Sequence, residues 1–466
     1  MTVNRRTFIK YAQAAGAFYA TVGLSGEAFA HSDNAGLKLI PDPQKMLDLP
    51  EGFTYTLISA AGETMSDGFI RPARADGMAC FAYPGDSSKC ILMRNHENWP
   101  NAEDGGAFGD KDELLSKVPA GKIYDTKTKD GRPFFGGVTK VVYDLKSKKL
   151  VEDYLVLAGT AANCAGGRTP WGTWLTCEEA MLKPTENADK YHGFVFETPS
   201  AATGLIDPVP LKAMGRFTHE AASVDPETGI VYMTEDARHG LFYRYIPEVK
   251  GQLHKGGRLQ ALMISGKKKA VTTNWPVDWG GEGAGTYLVG EDHKVEWIDL
   301  EDVESPNGDL AHRGFAAGAS QFCRGEGLDY AIRADGKTAD FYFTCTQGGV
   351  ARAGQIWRYT PDEGVDSGGT LRMMYESKSP DELDMCDNLA VAPWSDIILC
   401  EDGPGNQYLR GLTKEGKIYD LARNAHKAKS EFCGACFSPD GKVMFVNLQE
   451  PGLTFAIEGP WETLSS

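Results

Sequence analysis

Between Ala158 and Ala180 the chain reads AGTAANCAGGRTPWGTWLTCEEA, which places Asn163 and Cys164 ahead of two adjacent carboxylates, Glu178 and Glu179. Fifteen residues separate Cys164 from Glu179, the span of one strand going in and the end of the next returning. One soft thiolate beside hard oxygen donors suits a transition metal sharing a site with hard cations such as calcium. The same residues also read as a small buried hydrophobe beside two solvated glutamates, and this stretch alone leaves both readings open.

Acids of the same kind recur along the chain: Glu97, Glu220, Glu235 and Asp236, Glu326, Asp387, Glu401 and Asp402, and Glu431. A ring of them facing one channel would repel itself and raise its own pKa values unless cations sat among them. The oxygen donors favour calcium; Cys164 favours a softer ion such as iron. Arg324, two positions before Glu326, is the best candidate for a bidentate clamp on a phosphate oxygen. A salt bridge to one of the same acids is the equal alternative. Arg94 in RNHE and Arg168 in GGRTPWGT are weaker versions of the same idea. His219 adjoins Glu220 and reads as a supporting group or a core histidine. Other chemistries are missing from the sequence. There is no G-x-S-x-G elbow, and His219-Glu220 fails as H-E-x-x-H because Ser223 stands where the second histidine belongs. Gly411 to Lys417 resembles a phosphate-binding loop until Ile418 replaces the required Ser or Thr.

The elements that must position these residues are strands. From Glu51 onward, short runs rich in Val, Ile, Phe, Tyr and Thr are punctuated by Asp-Gly, Pro-Asp and Gly. Six units repeat the order polar start, strand, turn, strand, polar end: Asp76–Glu97, Asn163–Glu179, His219–Asp236, Arg324–Gln347, Asp387–Asp402 and Glu431–Gln449. Third strands are expected from Gly193, Gly240, Gly354 and Gly416. Such units arranged radially make an all-β, six-bladed β-propeller with top-face insertions, in which the polar strand ends meet at one channel mouth. Asn101 to Pro133 is expected to cross that face, and Gly251 to Ala319 to supply part of a blade and a lid.

The chain has 466 residues and a net charge of −16. Arg5, Arg6 and Lys10 against Glu27 give the first thirty residues +2, leaving −18 for the rest. That excess disfavours nucleic acid and anionic membrane surfaces as partners. The N-terminus, NRRTFIK followed by a short apolar segment and Ala28-Phe29-Ala30, reads as a twin-arginine export signal. The expected organisation is a signal peptide at 1–30, an N-terminal arm at 31–50 and the propeller at 51–466. The mature protein is expected to be a monomer outside the cytoplasm, periplasmic or extracellular, without a stable membrane span. Its ten cysteines read mainly as buried thiols, although Cys80 and Cys90 could cross-link neighbouring strands after export. Cys433-x-x-Cys436 lacks the second pair that a zinc site needs.

Taken together, RNHE, NCAGGRTPWGTWLTCEE, GRFTHEAASVDPETGIVYMTEDAR, RGEG, DNLAVAPWSDIILCEDG and CFSPDGKVMFVNLQEPGLTFAIEGPW closely resemble the PhoX family of secreted alkaline phosphatases. The resemblance implies a phosphomonoester hydrolase with a cofactor of two oxo-bridged irons and three calciums. It makes Cys164 the bridging thiolate, and matches Glu178, Glu179, Glu235, Glu326 and Asp402 to the acidic ligands. Arg324 matches a phosphate-contacting arginine. Asn163, Glu97, Glu220, Asp236 and Glu401 complete the expected metal-binding set. Two alternatives stand beside this reading: a calcium-dependent propeller lactonase or phosphotriesterase without a thiolate ligand, and a non-catalytic binding propeller.

Overall fold

The structure, a computed structural model, describes residues 37–464 apart from 103, 127–130, 185, 186, 280, 282 and 284. The expected export signal lies outside the described residues. No described helix is long and apolar enough to cross a membrane.

The β-branched and aromatic runs form antiparallel strands arranged as a propeller. Six strands line its axis: Ala75–Ala82, Asn163–Arg168, His219–Val224, Gly325–Ile332, Cys386–Val391 and Phe432–Phe437. Each packs beside the next in that order, and the last meets the first, which closes a ring. Two glycines permit the close approach. A Cβ on Gly77 would lie 2.5 Å from the Ala165 Cα, and one on Gly327 would lie 2.4 Å from the Leu389 amide nitrogen. Outward from the axis each inner strand pairs with its successor: Lys89–His96, Thr173–Glu178, Val231–Glu235, Ala339–Cys345, Ile397–Glu401 and Val443–Leu448.

These strands belong to five sheets rather than six separate ones. The stretch from Gly251 to Ala319 is the reason. Its strands Gly257–Ile264 and Asp292–Asp299 pair with each other, and the second also pairs with Gly369–Glu376. The third and fourth repeats therefore share one ten-stranded sheet. Between them Tyr232, Phe242, Phe341, Phe343, Trp357 and Tyr359 form a buried aromatic core, with Phe242 stacked on Phe343 at 4.4 Å. Each such side chain contributes about 1.5–3 kcal/mol through burial. The ring is closed by the amino-terminal strand Thr54–Ala60, which pairs with Leu453–Glu458. Within the arm, Leu47–Pro50 adds to Ile418–Asn424.

Two expectations need correction. The run from Gly416 forms the fourth strand of its sheet; the third is Tyr408–Leu412, short and polar at Arg410. No pair of cysteines is bridged: Cys80 and Cys90 are buried free thiols.

Candidate metal centre at the channel mouth

One irregularity, repeated six times, builds the site. In every inner strand the pairing register slips near its start: after Ala75, Asn163, His219, Gly325 and Cys386, and one position later, after Cys433, in the sixth. A bulge re-aims the side chain that it frees. In the first five strands that residue is Asp76, Cys164, Glu220, Glu326 or Asp387, and all five join the acid cluster at the mouth. The sixth strand departs from the rule: Cys433 Sγ donates to the Ala75 carbonyl at 3.0 Å, and Glu431 serves the mouth instead.

The second strands deliver the remaining acids. Glu97, Glu179, Asp236 and Asp402 each follow directly on a second strand, and all four line a cavity of about 280 Å³. Trp99, Cys164, Glu220, Arg324, Glu326, Asp387, Glu431 and Gln449 complete its wall. Four trios have ligand atoms within 4.8 Å of one another: Asp76–Glu97–Cys164, Cys164–Glu179–Glu220, Glu220–Glu326–Asp387 and Asp387–Asp402–Glu431. Consecutive trios share a residue, so the four form a chain across the mouth.

Four expected ligands face elsewhere. Glu178 accepts from the amides of Ala161 and Gly193, each at 3.0 Å, and pairs with His192 Nδ1 at 2.6 Å. Glu235 takes the Leu241 amide at 3.0 Å and the Tyr243 hydroxyl at 2.7 Å. Glu401 holds the amides of Asp384 and Tyr408 at 3.0 Å and Arg410 at 2.7 Å. Asn163 is spent on Thr160 and Thr176. The reason is strand alternation: neighbours in an acid pair point to opposite sides. The first acid of each pair anchors the start of the following strand, and the second enters the cavity. Asp76, Asp387 and Glu431 belong to the trios but are missing from the expected ligand set; the last two stand only among the recurring acids, and Asp76 is not among them. The signal for Asp76 is positional, since it occupies the same bulge position as Cys164, Glu220 and Glu326.

The other candidates also find definite places. Arg94 is buried and donates to the hydroxyls of Ser59 and Thr139, away from the cavity. Arg168 lies at the far end of its strand, over the Tyr330 ring. His219 is a core residue, stacked on Phe217 at 3.5 Å and bonded to the Gly215 carbonyl at 3.0 Å.

Burial first, then mutual repulsion, pushes the carboxyls of Asp76, Glu220, Glu326 and Glu431 well above the usual range. Burial pushes Glu97 and Asp402 up to about 7. The Cys164 thiol is raised by burial and then by Asp76 and Glu220. Arg324 is the single cationic side chain among the described lining residues. Its guanidinium meets both Asp236 oxygens at 2.9 and 2.8 Å and Glu326 at 2.8 Å. Burial works against its charge, yet Glu326 and Asp236 outweigh burial and hold the arginine protonated.

This donor set fits bound cations. Asp76 Oδ1 and Glu220 Oε1 are buried with no hydrogen-bond partner, an arrangement that costs about 1–3 kcal/mol per group or more for a charge. Cations among them would satisfy both oxygens and reverse the pKa shifts.

Fold and site together define a propeller whose channel mouth offers a carboxylate and thiolate donor set suited to cations. The family model for alkaline phosphatase PhoX matches residues 35–452, and the chain belongs to that family. It is accordingly a phosphoric monoester hydrolase. Among solved structures it is similar to Pseudomonas fluorescens PhoX in complex with vanadate, a transition state analogue. That likeness has a TM-score of 0.65 at 17% identity and covers 92% of this chain and 97% of that one. A gluconolactonase from Xanthomonas campestris is more distant, with a TM-score of 0.38 at 12% identity, covering 87% of this chain and 100% of that one. A search of curated protein sequences finds no match.

Proposed function

We propose that this phosphatase holds an iron–calcium cluster, two irons and three calciums, at the mouth of a six-bladed propeller. In this reading the ten-stranded sheet counts as two blades joined at their edges. The observation that carries the proposal is the position of Cys164 at the junction of two acid trios. Cys164 would hold the softer ions there, while Glu326, Asp387, Asp402 and Glu431 offer oxygens only, as calcium requires. A calcium-only lactonase site would have no use for that sulfur.

When bound, the cations supply Lewis-acid neutralisation of the phosphoryl oxygens and activation of the attacking oxygen. The residues of the chain do the rest. Asp76, Glu97, Cys164, Glu179 and Glu220 hold the softer ions, and the remaining acids hold calcium. Asp236 and Glu326 take Nε and Nη2 and fix the plane of the Arg324 guanidinium, leaving Nη1 to donate to the equatorial oxygens of the transferring phosphoryl group. No serine, threonine or histidine is among the described lining residues, and Cys164 and the carboxylates are given to the cations, so no side-chain nucleophile is assigned. The protein reaches the periplasm or the exterior through its twin-arginine signal, already folded and loaded, and acts there as a monomer on small phosphomonoesters.

The test is elemental analysis of the natively exported protein, with hydrolysis of a phosphomonoester and a phosphodiester measured alongside. Iron and calcium together with monoesterase activity support the reading. Full activity with iron retained after Cys164→Ala would refute the thiolate assignment.

A further inference from the structure

We propose that Trp99 selects the leaving group, favouring phosphomonoesters of flat aromatic alcohols; this rests on the phosphatase reading above. Trp99 lines the acid cavity, yet 43% of its surface is open to solvent. Its indole nitrogen donates to Glu97 Oε1 at 2.9 Å, which ties the ring edge to the metal-binding wall. The backbone beneath it is held as well. Asn98 is buried, its side chain donates to the carbonyls of Ala73 and Phe135, and its own carbonyl receives the Ala162 amide. A large apolar ring is therefore fixed at the rim rather than folded into the core.

Its position defines what it can touch. The phosphoryl group must sit inward, among the carboxylate-held cations and Arg324. The ester oxygen and its substituent must then point outward, past the rim. With its N–H committed to Glu97, Trp99 has only its ring face to offer. A ring face attracts planar π-systems by stacking more strongly than it attracts a flexible alkyl chain. Other lining side chains are charged or polar, apart from Cys164. Trp99 thus supplies the wall's aromatic surface.

The experiment compares kcat/KM for an aryl phosphate with that for a straight-chain alkyl phosphate in metal-loaded wild type, Trp99→Ala and Trp99→Phe. Releasing Glu97 would slow both esters alike, so the ratio isolates the ring. The aryl-to-alkyl ratio is expected to fall about tenfold in Trp99→Ala and to stay within about threefold of wild type in Trp99→Phe. An unchanged ratio in Trp99→Ala would overturn the assignment. Calorimetry with phenylphosphonate and methylphosphonate, which are not cleaved, asks the same question of binding alone. Wild type idle on both esters would sink the phosphatase reading, while the phosphonate pair would still decide the role of Trp99.

Discussion

Glu178 and Glu179 are consecutive and face opposite ways: Glu178 lies against His192 at 2.6 Å, while Glu179 lies within ligand distance of Cys164 and Glu220. One carboxylate is structural and the other belongs to the metal wall. The same division holds for Glu235 with Asp236 and for Glu401 with Asp402. Each anchoring acid pins the next strand's start and thereby fixes where its neighbour projects.

This division predicts opposite effects of the same substitution at adjacent positions. Glu178→Ala leaves the Ala161 and Gly193 amides and His192 without their acceptor in a buried site. It should cost about 3 kcal/mol or more. Glu179→Gln removes one member of a repelling cluster and should stabilise the metal-free protein slightly. It should also weaken metal uptake. Denaturant midpoints in chelator, with metal content in its absence, measure both. Equal destabilisation by the two would contradict the division.

How much of this was legible beforehand follows from particular residues. The repeat, the strands and the meeting of distant acids follow from turn spacing and polar strand ends, and those were readable. Which acid of a pair faces the channel was not, because Glu178 and Glu179 differ only in strand parity, which neither side chain announces. Asp76 escaped for a different reason: only the register slip before Met78 turns it inward. The fusion of two repeats into one sheet was hidden too, since Asp292–Asp299 is charged and half exposed and reads as insertion rather than strand.

Arg324 offers a second prediction. Its clamp depends on a planar fork held by Asp236 and Glu326, so a lysine preserves charge without the geometry. Arg324→Lys should lower kcat/KM by about tenfold to a hundredfold, and Arg324→Ala by more. Metal content should stay near wild type in the lysine variant. A lysine variant with full activity would reduce Arg324 to a structural salt bridge.

The third prediction concerns pH in the metal-free protein. Glu97, buried, and Asp402, half-buried, are held near 7 in the folded chain, whereas unfolded carboxyls titrate near 4. Between those values the folded state binds protons that the unfolded chain has released, so stability falls as pH rises through that window. Urea midpoints in chelator should therefore be higher at pH 5 than at pH 8. Calcium should reverse the trend, because binding requires the ionised acids. At a hundredfold excess over Kd, one such ion adds about 2.7 kcal/mol. The decisive comparison is the sign of the pH slope with and without calcium. A metal-free protein that grows more stable from pH 5 to pH 8 would show that these carboxylates find compensation from the chain alone, and would remove the main physical argument for cations at the mouth.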